Sequence, residues 1–361
     1  MFQRKKKQTR YKVLMVSSEV VPFAKTGGLA DAVSALALEL DRAGHDVRII
    51  IPRYYGIRRD GLYRYPSEFD LTVGERRFAT ALYEGRLPDS EVVVYFLEYE
   101  WLYGRDGIYG SGTTPFGDNL ERFALLSHAA RSLGSILGWE PDVVHSHDWP
   151  AALTPLLWRR PRSGTDRPPV ASRPAQVLTI HNLGYQGVFP VEQLPQTGLS
   201  WSALHESGLL HYDELNMLKA GIIHADAITT VSETHAREIT TPAYGFSLDE
   251  VLKEYDSKLT GITNGVDYAQ WNPERDPHLE VNYTTETIAL KQRLKNSLRN
   301  TVGLPQAELP LIGMITRLAD QKGLDELVAP GYGVLPAILN ELPVQIVVLG
   351  TGEERYEYDL R

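Results

Sequence analysis

The chain of 361 residues contains no cysteine, which removes disulfides, thiolate metal centres and cysteine nucleophiles from consideration. No apolar run approaches the ~20 residues of a membrane helix. The basic start RKKKQTRYK (residues 4–12) leads into YKVLMVSS, without the apolar stretch and cleavage site of a signal peptide. Positive charge is also in short supply. The net charge is −9, which argues against nucleic acid as a main partner. These absences describe a protein expected in the cytoplasm, with neither a membrane nor a nucleic acid as partner.

What is present is a regular alternation. VLMVSS (residues 13–18) is a short apolar run of the kind buried on both faces of a sheet. In the following LADAVSALALELDRAG, positions Leu29, Ala32, Val33, Leu36, Ala37 and Leu40 step by three and four, as one face of a helix does, and Gly44 closes it. DVRIIIP (residues 46–52) then gives a second strand. Strand, helix and strand within forty residues form a βαβ unit and predict a parallel sheet. The spacing predicts a helix over 119–137, strands over 142–147 and 176–181 with a helix between them, and strands near 227–232 and 258–261. RPRSGTDRPPVASRPA (residues 160–175) reads as a surface loop. Turn-forming residues around WNPERDP place a domain boundary near residue 270. A second α/β series follows, with helices over 285–302 and 324–339 and strands over 311–318 and 344–352. One crossover cannot cover both faces of a parallel sheet, so the second domain reads as cut short.

Candidate chemistry gathers at strand ends. KTGGLADAV (residues 25–33) sets Lys25, Gly27 and Gly28 at a helix start after the first strand, a place suited to an anion, although a plain helix start fits as well. The loop matches neither the dinucleotide fingerprint nor the P-loop. In HSHDW, His145 and His147 share a face, so a metal has to be weighed. Pro150 stands where a binuclear metal motif needs histidine, which favours Asp148 and Trp149 facing a ligand instead. TIHNLGYQG repeats the layout with His181 and Asn182. ITNGVD, by itself, says turn at Asn264. In MITRLADQKG, Arg317 and Lys322 flank a strand-to-helix turn and suit a diphosphate.

Together KTGGLAD, HSHDW, TIHNLGYQG, LNMLKAGIIHADAITTVSETHAREI, GITNGVD and ITRLADQKG, in this order, resemble the bacterial glycogen synthase and plant starch synthase family. The resemblance implies a GT-B fold: two Rossmann-like domains facing a cleft, here over 1–270 and 271–361. It implies transfer of glucose from ADP-glucose to the non-reducing end of an α-1,4-glucan with retention, and needs no metal or other cofactor. By the same resemblance Lys25, Asp148 and His181 are catalytic. Lys25, Gly27 and Gly28 line the donor and acceptor side, while Asp148, His181 and Asn182 meet the transferred glucose. Trp149 lies near the acceptor sugar, Asn264 near the hinge, and Arg317 and Lys322 hold the two phosphates. Family members continue past the point where this chain stops, so the donor pocket is expected to be incomplete and the chain alone weakly active or inactive. Other GT-B transferases, a non-catalytic glucan- or nucleotide-binding protein and a nicotinamide oxidoreductase are the alternatives, the last lacking its fingerprint glycines.

Overall fold

The computed structural model describes residues 9–66, 69–160, 173–268 and 271–360. Residues 161–172, most of the expected surface loop, and the basic residues before position 9 lie outside these. The described residues form two compact units, dividing between Gly265 and Val266; three residues, Gly112–Thr114, group with the second. That division falls a few residues before the turn-rich stretch that suggested a boundary.

The first unit is built on a ten-stranded sheet. In chain order its strands are β1 (Lys12–Val16), β2 (Asp46–Pro52), β3 (Tyr63–Arg64), β4 (Phe69–Val73), β5 (Arg76–Arg86), β6 (Val93–Glu98), β7 (Val143–His147), β8 (Ala175–Ile180), β9 (Ala227–Thr230) and β10 (Leu259–Gly261). The order across the sheet is β10-β9-β8-β7-β1-β2-β6-β5-β3, with β4 paired to β5. From β10 to β6 every neighbour is parallel, as the βαβ reading predicts; β3, β4 and β5 are antiparallel additions. The core strands are apolar along their length because both faces are covered. Leu14, Met15, Val16, Ile49, Ile50 and Ile51 are all sealed from solvent.

Helix α1 (Gly28–Arg42) ends with Gly44 at φ 92°, the left-handed position beyond a helix end that glycine fills without steric cost. Its buried face is Ala30, Val33, Ser34 and Ala37, turned from the expected one, with Leu29, Leu36 and Leu40 half buried. The turn has a cause: Ser34 Oγ accepts the Val21 amide at 2.9 Å and so pins the loop that follows β1. Helix α2 (Asn119–Leu137) occupies the predicted span. The helix expected after β7 is two pieces, a single turn at Asp148–Ala151 and α3 (Leu153–Arg159). Helix α4 (Met217–His224) precedes β9.

The second unit holds α5 (Lys291–Thr301), β11 (Leu311–Ile315), α6 (Leu324–Val328), α7 (Leu335–Glu341), β12 (Gln345–Leu349) and α8 (Glu354–Asp359). β11 and β12 pair in parallel. Buried Arg299 of α5 donates to Gln345 Oε1 and Leu309 O, both at 2.7 Å, fastening the helix to the start of that pair. Leu318, Leu324 and Tyr356 form a small core. The single helix expected over 324–339 is interrupted, since Pro330, Gly331 and Gly333 stop α6 before α7 begins.

Candidate active site

In an open parallel sheet, ligands bind beyond the carboxyl ends of the strands where the strand order reverses. Here that point lies between β1 and β7: β2 extends the sheet on one side of β1, and β7 to β10 extend it on the other. KTGG follows β1, Asp148 follows β7, and His181 and Asn182 follow β8. The fold therefore brings Lys25, Gly27, Gly28, Asp148, His181 and Asn182 to one edge. Asn264 follows β10 and is exposed, at the same edge but three strands from β7, roughly 14 Å away at ordinary strand spacing.

The loop after β1 is organised by Glu19, a buried carboxylate that sequence reasoning passed over. It accepts hydrogen bonds from Thr26 N at 2.5 Å, Thr26 Oγ1 at 2.8 Å, Gly27 N at 3.3 Å and Tyr109 OH at 2.6 Å. The signal was present: one acid inside the small and apolar run VSSEVVPF must be buried and paired. Two loop amides are thus already taken by a carboxylate, which narrows the anion-binding reading to the first amides of α1. Lys25 Nζ pairs with Asp31 at 2.8 Å on the surface. A Cβ built on Gly27 or Gly28 meets nothing within 4 Å. Neither glycine has a positive φ, so the fold itself does not demand them there, and the space before them is open.

Asp148 sits at φ 56°, a left-handed conformation that costs a non-glycine residue on the order of 1 kcal/mol. The twist turns its carboxylate across to β8, where Oδ1 accepts from His181 N at 2.7 Å and Asn182 N at 3.3 Å. Burial pushes this carboxyl up to about 7; the two amide bonds pull against that and nearby Glu19 adds to it. Asp148 is therefore a clamp between two strand ends as well as a candidate substrate ligand. Asn182 Oδ1 accepts from Gly184 N at 2.9 Å and orders the next turn.

Three imidazoles form a row, with His147 buried and His145 and His181 half-buried. His145 and His147 stack with centroids 4.2 Å apart, as their shared strand face requires. His147 Nδ1 lies 3.1 Å from His181 Nε2, and His145 Nε2 lies 2.6 Å from Thr179 Oγ1, itself 2.6 Å from Thr229 Oγ1. Burial pushes His145 down to about 3, His181 to about 4 and His147 well below the usual value, so all three rings are neutral near pH 7. Sequence reasoning weighed His145 and His147 only as metal ligands; the structure makes them neighbours that orient His181.

Trp149 has a packing role. Its indole meets Phe123 edge-on at 4.9 Å and lies 5.8 Å from Phe189 and 6.4 Å from Tyr109. The Gly187 backbone rests on its ring, where a Cβ would sit 2.4 Å from Cε3. Gly187 is also left-handed, at φ 66°, so glycine is required there on both counts. Described within the second unit, Arg317 and Lys322 are both exposed, one on either side of the turn that joins β11 to α6. Gly323 closes that turn at φ 71°.

Comparison with known proteins identifies the family. Residues 12–254 match the starch synthase catalytic domain family. A glycogen synthase of Treponema denticola is 44% identical over 351 residues, 97% of this chain and 71% of that protein. Glycogen synthase 1 of Geobacter metallireducens is 42% identical over 348 residues, 95% of this chain and 68% of that one. Among solved structures, the catalytic domain of Arabidopsis thaliana starch synthase IV, bound to ADP and acarbose, superposes with a TM-score of 0.85 at 29% identity, covering 98% of this chain and 71% of that one. With a GT-B fold and these relatives, the chain belongs to the glycogen and starch synthase family of glycosyltransferases.

Proposed function

We propose that the enzyme takes ADP-glucose as donor and adds its glucose, with retention, to the non-reducing end of an α-1,4-glucan. The observation that carries this reading is the cluster at the switch point between β1 and β7, where Asp148 and neutral His181 meet beside the open glycine loop. A sugar offers hydroxyls and little charge, and a neutral imidazole can donate to one hydroxyl or accept from it. His181 is read as holding a hydroxyl of the transferred glucose, with Asn182 beside it and Asp148 fixing both residues through their amides. Lys25 can leave its exposed partner Asp31 at little cost, because a surface ion pair contributes only about 0–1 kcal/mol. Arg317 and Lys322 are read as holding the donor's two phosphates, where charge grows as the glycosidic bond breaks; cations placed there lower the barrier to departure. Retention follows from attack on the face the nucleotide leaves, through an oxocarbenium-like state. The proposed compartment is the cytoplasm, consistent with a cysteine-free chain.

A donor screen tests the proposal. Initial rates of label incorporation into glycogen are compared for ADP-glucose and UDP-glucose, and the product is digested with an enzyme specific for α-1,4 linkages. Faster incorporation from ADP-glucose into digestible product is expected. Equal or better use of UDP-glucose overturns the donor assignment, and resistant product overturns the linkage.

A further inference from the structure

Two turns beside the active-site edge carry aromatic residues in conformations that aromatic residues rarely adopt. Tyr212 and Asp213 form the two-residue tip between the short strands Leu210–His211 and Glu214–Asn216, with φ of 47° and 64°. A tip with both residues left-handed is the type I′ turn, which asparagine, aspartate and glycine fill at least cost. Tyrosine in the first position is a poor choice for folding, and this one is 77% exposed, so no burial of its ring offsets that cost. Phe246 and Ser247 repeat the pattern at 48° and 70°, with Phe246 55% exposed. Four of the six left-handed non-glycine residues among those described lie in these two turns, and a fifth is Asp148.

The turns are joined to each other and to the site. His211 Nε2 lies 3.1 Å from Ser247 Oγ, and the His211 and Tyr212 rings lie 4.4 Å apart. Gln186 donates to Phe246 O at 2.8 Å and accepts from Asn216 Nδ2 at 2.6 Å. Gln186 and exposed Tyr185 belong to the loop that Asn182 opens. A sequence shaped by folding alone would put small polar residues at such turns; locally unfavourable choices that persist point to use.

We propose that Tyr185, Tyr212 and Phe246 form a platform for the acceptor glucan, running outward from the transferred-glucose site along the 182–187 loop. The chemistry is that of sugar recognition. A pyranose ring presents a face of C–H groups that suits an exposed aromatic ring, and an edge of hydroxyls that suits Gln186, His211 and Ser247. Continuity with Asn182 sets the occupant as a chain of several glucose units whose end reaches His181. The inference rests on the glucan-elongating function of the family.

The test uses Tyr212→Asn and Phe246→Gly, singly and together, since both replacements suit left-handed backbone and should leave the melting temperature unchanged or raised. Wild type and variants are compared for the KM of glycogen, the KM of the nucleotide sugar, retardation in glycogen-containing gels and sedimentation. The double variant is expected to show a glycogen KM raised about tenfold, the loss of roughly 1.4 kcal/mol of binding. It should also lose retardation while the donor KM is unchanged. An unchanged glycogen KM and retardation overturn the platform. So does a wild-type dimer that the substitutions split without altering glycogen KM, which would make the patch a self-association face. A wild type that neither elongates nor binds any glucan would instead overturn the functional reading.

Discussion

His147 Nδ1 and His181 Nε2 lie 3.1 Å apart at the carboxyl edge of the sheet, in a row of imidazoles that burial keeps neutral. With Nε2 engaged by His147, Nδ1 is the His181 nitrogen left for a ligand. His147→Ala should lower kcat about 10- to 100-fold, the cost of one buried hydrogen bond lost and a ring left unoriented. His147→Asn, whose amide can occupy the Nδ1 position, should recover most of it. Steady-state kinetics on both variants, with circular dichroism as a fold check, provide the measurement. Equal kcat in the two variants would remove the positioning role.

Asp148 gives a pH signature. Its carboxyl is held at about 7 against 3.8 for an ordinary aspartate. The unfolded chain therefore releases this proton first, so the group's contribution to stability falls as pH rises from about 4 to about 7 and is flat above that. Asp148→Asn removes the ionisable group, keeps an oxygen for the His181 amide, and suits the left-handed backbone better. The variant should be more stable than wild type at pH 8 by on the order of 1–3 kcal/mol, with the advantage shrinking toward pH 4. Turnover should fall on the order of 100-fold. Denaturant midpoints across that range report the difference, and a gap that does not change with pH would contradict the buried-carboxyl account.

The glycine loop separates stability from function. Lys25→Ala breaks only an exposed pair, so the melting temperature should hold while turnover or donor affinity drops about tenfold or more. Gly28→Ala places a methyl group in open space at the first helical position and should stabilise the fold by a few tenths of a kcal/mol. The same methyl occupies room the ligand needs, so kcat/KM should fall. Thermal melts alongside kinetics decide both cases. If Gly28→Ala leaves kcat/KM unchanged, the loop is a helix start and nothing more.

What the sequence disclosed followed its periodicity. Strands β1, β2, β7 and β8 and helix α2 were visible because fully buried strands and one-sided helices leave short-range patterns. The candidate residues stood at the ends of those strands, where open parallel sheets place ligands, so Asp148, His181 and Asn182 could be expected at one edge before any coordinates. Glu19 was missed because its partners, Thr26, Gly27 and Tyr109, lie 7 to 90 residues away and only the fold collects them. His145 and His147 could be placed on one face but not joined to His181, since that pairing depends on the register of β7 against β8. The packing of Trp149 was not legible because a side chain's neighbours cannot be read from its position in the chain. The three aromatic neighbours that surround it come from α2, the loop before it and the short strand Val188–Pro190. The break between α6 and α7 was written in Pro330, Gly331 and Gly333, which the helical period ran across.

The most direct test of the account is His181→Ala, assayed for glucose transfer to glycogen at saturating donor and acceptor. If neutral His181 holds the transferred glucose, kcat should fall at least about 100-fold while the melting temperature stays within a few degrees of wild type. A folded variant that turns over at the wild-type rate would contradict it.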